Sequence, residues 1–144
     1  MKKILILILS GSLTSFAFAS QIPVNASTDL IVDNNTAGIV NVDLGKVQYI
    51  NVKGNDLNPS LPATISGPIY KAFAVQDVSG EDYAFTIPFK STNYADGCLL
   101  KVYYNSYTDK VNVSTTSSSS KFKCVAITTT EGFNNSITLD IVTR

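Results

Sequence analysis

Apolar residues recur at every second position along much of this chain, and no window sustains the spacing of three to four that marks an amphipathic helix. The sharpest case is Tyr83, Phe85, Ile87 and Phe89, which alternate with Ala84, Thr86 and Pro88. Successive side chains of a strand point to opposite faces, so the run predicts a strand over 83–89 with one aromatic, core-facing side. Pro88 has no N–H to give to a ladder, which places that end of the strand at an edge or a bulge. Further strands are predicted over 29–33, 70–78, 98–104, 110–115, 121–130 and 136–143, each rich in β-branched or aromatic residues and bounded by turn formers. Within 70–78, Phe73 and Val75 share one face and Ala72 and Ala74 the other. Val40, Val42 and Leu44 alternate with Asn41 and Asp43, and a second apolar run holds Val47, Tyr49, Ile50 and Val52. Gly45-Lys46 between these two runs predicts a tight hairpin. The stretch 53–68 is expected to be irregular, because Pro59, Pro62 and Pro68 limit any strand there.

About eight short strands at regular spacing, separated by polar turns, predict an all-β, single-domain β-sandwich of immunoglobulin-like or similar Greek-key type, with a small barrel as the other solution. The sandwich is assigned to residues 29–144, preceded by an extended N-terminal segment over 20–28. In that segment Ile22 and Val24 alternate in a way that suits addition to another sheet edge.

The first nineteen residues follow a different pattern. Lys2 and Lys3 give a positive start, Ile4 to Leu9 are unbroken apolar residues, and Ala17-Phe18-Ala19 puts small residues where a signal peptidase reads. This predicts a signal peptide over 1–19, cleaved before Ser20. The apolar run is well short of the roughly 20 residues a membrane span needs. The chain is expected to be exported, periplasmic or secreted, without a membrane span, and its Ile/Leu-rich leader has a bacterial style.

Composition narrows the chemistry. Two of the eleven Lys and Arg lie in the leader, so the remainder carries nine against eleven acidic residues, a formal charge of −2. Nucleic-acid binding normally leaves a cluster of Lys and Arg, and the single arginine here is the terminal Arg144, so no nucleic-acid partner is expected. The two cysteines, Cys98 and Cys124, predict one disulfide in an oxidising compartment. The chain has no histidine, which removes the usual base of hydrolytic triads and the HExxH zinc motif. Two cysteines without histidine are too few for a zinc site. Neither Asn55, Asp56 and Asn58 nor Asp77, Glu81 and Asp82 follows the twelve-residue calcium loop, and both groups read as turn formers. No metal and no cofactor is expected. Glu81 and Glu131, the glutamates available to a carboxylate hydrolase, fall in predicted turns, so no catalytic residue is assigned.

The one positive functional signal is aromatic. Tyr103, Tyr104 and Tyr107 surround Asn105 and Ser106, so at least one tyrosine faces outward in either strand register. Tyrosine among Asn and Ser combines rigid apolar area with hydrogen-bonding tips, which suits recognition. Tyr103, Tyr104, Asn105 and Tyr107 therefore form the candidate recognition surface, although tyrosine is also an ordinary strand residue. The expectation is an exported, non-catalytic binding module for a protein or carbohydrate ligand, monomeric or weakly dimeric. The alternatives are a structural subunit of a bacterial surface assembly working by strand exchange, and a small carboxylate-dependent hydrolase.

Overall fold

A computed structural model describes residues 25–92, 95–131 and 134–143. The expected signal peptide, Ile22 and Val24 lie outside the described residues, as do Gly132 and Phe133 of the last turn. The fold is a β-sandwich of ten strands in two sheets. The strands are β1 (Ser27–Asn35), β2 (Val40–Val42), β3 (Gln48–Ile50), β4 (Thr64–Ile65), β5 (Ile69–Val75), β6 (Tyr83–Lys90), β7 (Gly97–Asn105), β8 (Lys110–Ser117), β9 (Phe122–Glu131) and β10 (Asn134–Thr143). One sheet runs β5-β1-β10-β9; the other runs β4-β2-β6-β7-β8, with β3 also paired to β6.

The two-residue period decides which faces meet. Tyr83, Phe85, Ile87 and Phe89 of β6 and Leu100 and Val102 of β7 are buried against Leu30 and Val32 of β1 and Ile137, Leu139 and Ile141 of β10. β1 pairs with β10 in parallel, so the first strand lies inside the sheet, between β5 and β10. On β5 the alanine face, Ala72 and Ala74, turns inward, and Phe73 and Val75 turn outward.

Three expectations are corrected. Gly45-Lys46 does not close a hairpin, since β2 and β3 pair with β6 and not with each other. Residues 44–46 form a single 3-10 turn, which lacks the positive φ that a two-residue hairpin requires. β2 and β3 line the same side of β6 and are separated by a bulge, in which residues 43–47 stand opposite only Ile87 and Pro88. The Pro88 carbonyl accepts from the Asp43 amide at 3.1 Å, so its missing N–H faces that same side and leaves the bulge without a donor. Lys90 at 2.7 Å and Lys46 at 3.6 Å hold the Asp43 carboxylate there. The first strand starts at Ser27, two residues before its predicted start, because Thr28 is buried and bonded to the Tyr83 hydroxyl. The stretch 53–68 contains the short β4 and delivers Leu57 and Leu61 to the core.

The disulfide joins Cys98 of β7 to Cys124 of β9, with Cα atoms 5.9 Å apart, and so ties the two sheets together. Beside it, a Cβ on Gly97 would lie 2.7 Å from the Phe89 carbonyl oxygen, so only glycine permits β6 and β7 to approach there. Replacing both cysteines by alanine opens a cross-link spanning 26 residues. The expected loss is about 3.5 kcal/mol by the loop-entropy model, read as a lower urea midpoint with a steeper slope, because the freed unfolded chain exposes more surface.

A second prediction concerns alkali. Burial raises the Tyr83 phenol to about 12, against the lowering effect of its bond with Thr28. A phenol whose folded value exceeds its unfolded value of about 10 stabilises the fold fully below that value and loses the contribution as pH rises. Ionisation of Tyr83 should therefore coincide with loss of the folded circular-dichroism signal between about pH 10 and 12. Phenolate absorbance appearing in that window with the fold intact would count against this assignment.

Candidate functional site

The four candidate residues occupy the end of β7 and the loop into β8, and the structure divides them by role. Alternation along β7 turns Tyr104 inward, where it is 4 % exposed and its ring stacks on Tyr83 with centroids 4.8 Å apart. Its hydroxyl donates to Asp109 Oδ1 at 2.8 Å. Burial, followed by that bond to a carboxylate, pushes the Tyr104 phenol well above its ordinary range. Tyr104 is therefore a core residue that anchors the loop from below.

Asn105 is half-buried, and its side chain shapes the backbone. Oδ1 accepts from the Thr108 amide at 2.9 Å and the Thr108 hydroxyl at 3.0 Å, closing the turn. Asp109 then takes a left-handed φ of 54°, and the chain enters β8. Tyr103 faces outward, 42 % exposed, with its hydroxyl donating to Asp82. Tyr107 stands at the tip with 94 % of its surface exposed, in water on nearly every side.

Asp82 organises this end of the molecule and was not singled out by the sequence beyond its turn. It ends the β5–β6 connection, which turns at Gly80 with φ 85°. Its Oδ1 accepts from the amide and the hydroxyl of Ser106, each at 2.8 Å, and Oδ2 accepts from Tyr103. These donors favour the ionised form, the Tyr103 hydroxyl most, and hold the carboxyl below its usual range. Asp82 and Ser106 are separated by 24 residues, so only the folded chain reveals the contact. Its own position is fixed in turn, since Asn51 Nδ2 donates to its carbonyl at 2.9 Å.

A hollow of about 210 Å³ lies behind the loop, lined by Asn25, Gln76, Gly80, Tyr104, Ser106 and Asp109 among others. Gln76, 2 % exposed, closes its floor by accepting from the Ala26 amide at 3.1 Å and donating to the Glu81 carbonyl. A larger shallow hollow of about 530 Å³ lies on the outer face of β6 and β7, where Pro88 and Leu99 sit between Lys90 and Lys101. Asp43, Asp56 and Asp82 all have lowered pKa values: at Asp56 burial opposes the shift and the hydrogen-bond donors around the carboxylate together outweigh it, while at Asp43 and Asp82 the donors, Lys90 and Tyr103 first, favour the anion. Among the described residues no three acidic or sulfur side chains converge in a way that would hold a metal ion.

The Asp82 shift generates a test. A carboxyl depressed in the folded state contributes above its unfolded value of about 3.9, and the contribution fades as pH falls through the folded value. Acidification below about pH 4 should release the Ser106 amide, seen as lost hydrogen-exchange protection over 105–109 while core amides stay protected. In an Asp82→Asn variant the loop should be less protected at neutral pH and show no such step. Setting the chain beside known proteins adds nothing to this geometry: no family model matches it, and no curated protein is recognisably similar in sequence.

Proposed function

We propose that this protein is an exported, non-catalytic recognition module that grips a protein or carbohydrate through the β7–β8 loop, with Tyr107 as the anchor. The observation that carries the reading is a fully solvated tyrosine on a loop whose neighbours are already fixed by Asp82 and Asn105. Binding costs less when the contact residue is held in place beforehand, and tyrosine offers a flat apolar ring with a polar tip. Tyr103 lies beside it, its hydroxyl committed to Asp82 and its ring exposed. Hydrogen-bond donors around the depressed carboxylates account for them as structural groups, which supports binding over carboxylate catalysis. The segment with Ile22 and Val24 on which strand exchange would rest lies outside the described residues, and β1 from Ser27 onward is committed to its own sheet between two neighbours. The disulfide and the lack of a long apolar helix among the described residues are compatible with export.

The test has two parts. Mass spectrometry of the chain recovered from the periplasm or medium should give Ser20 as the first residue; an intact leader on a cytoplasmic chain would end the export reading. The purified chain should then be screened on glycan and peptide arrays, alongside Tyr107→Ala. The variant should unfold at the wild-type urea midpoint and lose roughly 2 kcal/mol of binding, about thirtyfold in Kd. Undiminished binding by Tyr107→Ala, or cleavage of the arrayed probes by the wild type, would overturn the proposal.

A further inference from the structure

Among the described residues the sheets end at β5 and β9 in one case and at β8, β4 and β3 in the other, and these edges are treated differently. The β5 edge is covered by backbone bridges from Asn58 to Phe73 and from Val52 to Gln76. The β4 edge is only two residues long and the β3 edge three. The β8 edge strand presents Asn112, Ser114 and Thr116 outward, a polar row. The β9 edge has none of these features. Between Lys123 and Glu131 it runs Cys124 to Thr130 with no charge, proline or glycine, the residues that ordinarily keep an edge from pairing. Val125 and Ile127 are 51 % and 62 % exposed on its outer face. Thr128 and Thr130 are exposed as well, although alternation puts them on the inward side with Phe122, Cys124 and Ala126. The second half of β9 is thus uncovered on both faces.

Its backbone is open in a defined pattern. The amides of Phe122 and Cys124 point away from β10, donating to Ser119 Oγ at 3.3 Å and Ser117 Oγ at 3.2 Å. Backbone groups alternate sides along a strand, so Ala126, Thr128 and Thr130 aim their N–H and C=O outward too. Among the described residues no other strand pairs with β9 on that side.

We infer that β9 pairs antiparallel with β9 of a second copy, across a two-fold axis at Ile127, joining two four-stranded sheets into one. The residues that self-pairing brings together select this partner and this register. With the axis at Ile127, Ala126 meets Thr128 of the other copy, and both carry outward backbone groups, giving four new hydrogen bonds. Ile127 meets Ile127, Val125 meets Thr129, and Lys123 comes opposite position 131, a glutamate in the sequence. Moving the axis by one residue to Thr128 sets Val125 against position 131 and leaves Lys123 without its counterpart. A two-fold axis repeats every pair, so the complementary charges occur twice.

The register can be read directly. At the axis the pair is of the non-hydrogen-bonded kind, with Cα atoms about 4.5 Å apart, inside the range a disulfide spans. Ile127→Cys should therefore form a covalent dimer on mild oxidation. Thr129→Cys, about 13 Å from its symmetry mate by strand rise, should not. By sedimentation across a concentration series, the wild-type chain should self-associate. Lys123→Glu and Glu131→Lys should each weaken that association roughly tenfold, and the two together should restore it. Thr128→Pro removes one outward N–H without touching the β10 ladder, and should be monomeric at an unchanged urea midpoint; if it does not fold, the charge exchange still decides. A wild type that stays monomeric at every concentration would overturn the inference. So would a dimer indifferent to the exchange, or equal cross-linking by the 127 and 129 variants.

Discussion

The stacked pair Tyr83–Tyr104 is the contact on which the loop end of this molecule depends. The two residues stand directly opposite each other on β6 and β7, and their rings pack at 4.8 Å inside the core. Burying a phenol costs free energy unless its hydroxyl is partnered. Tyr83 meets that demand by reaching across the sandwich to Thr28 of β1, and Tyr104 by reaching forward to Asp109. One apolar contact thereby generates two polar ones, the first clamping sheet to sheet, the second fixing where the chain re-enters β8. At the opposite end of β7, Cys98 performs the first of these tasks covalently through Cys124. The sandwich is pinned at both ends of β7 by different chemistry.

Between those pins, β6 is held by β7 along its full length but by the interrupted pair β2 and β3 on its other side. Proline is the physical reason for the interruption. A residue without an N–H cannot complete a ladder, so the neighbouring strand bows out over Ile87 and Pro88 and is held there by Asp43 between Lys46 and Lys90. An ion pair of this exposure contributes little to stability. Its effect is to select one path for the bulge.

This division between local and distant causes sets what the chain reveals in advance. The core face of β6, the strand period over most of the last third and the bulge at Pro88 are local properties of side-chain alternation, and all are legible in the sequence. The hairpin expected at Gly45-Lys46 failed because the partner of both strands, β6, lies some forty residues away in sequence and has no local signature. β4 escaped notice for the same reason, being two residues that pair only because β2 is already in place. At the candidate site, the turn made by Asn105 and Thr108 is encoded locally. The inward turn of Tyr104 and the hold of Asp82 on Ser106 are not, since both require β5, β6 and β7 to be docked.

The loop itself separates connection from display. Joining two antiparallel strands requires as few as two residues, yet here the chain spends Ser106, Tyr107, Thr108 and Asp109 between β7 and β8. Three of those four point their polar atoms back into the structure, to Asp82, Asn105 and Tyr104. The fourth, the most apolar of the set, is directed into solvent. If stability alone governed the loop, its largest apolar side chain would be expected to take some cover, because burial of a ring is favourable and nearby polar residues could as well stand outside. The opposite arrangement gives a rigid base with an exposed ring. The proposed recognition role rests on that arrangement.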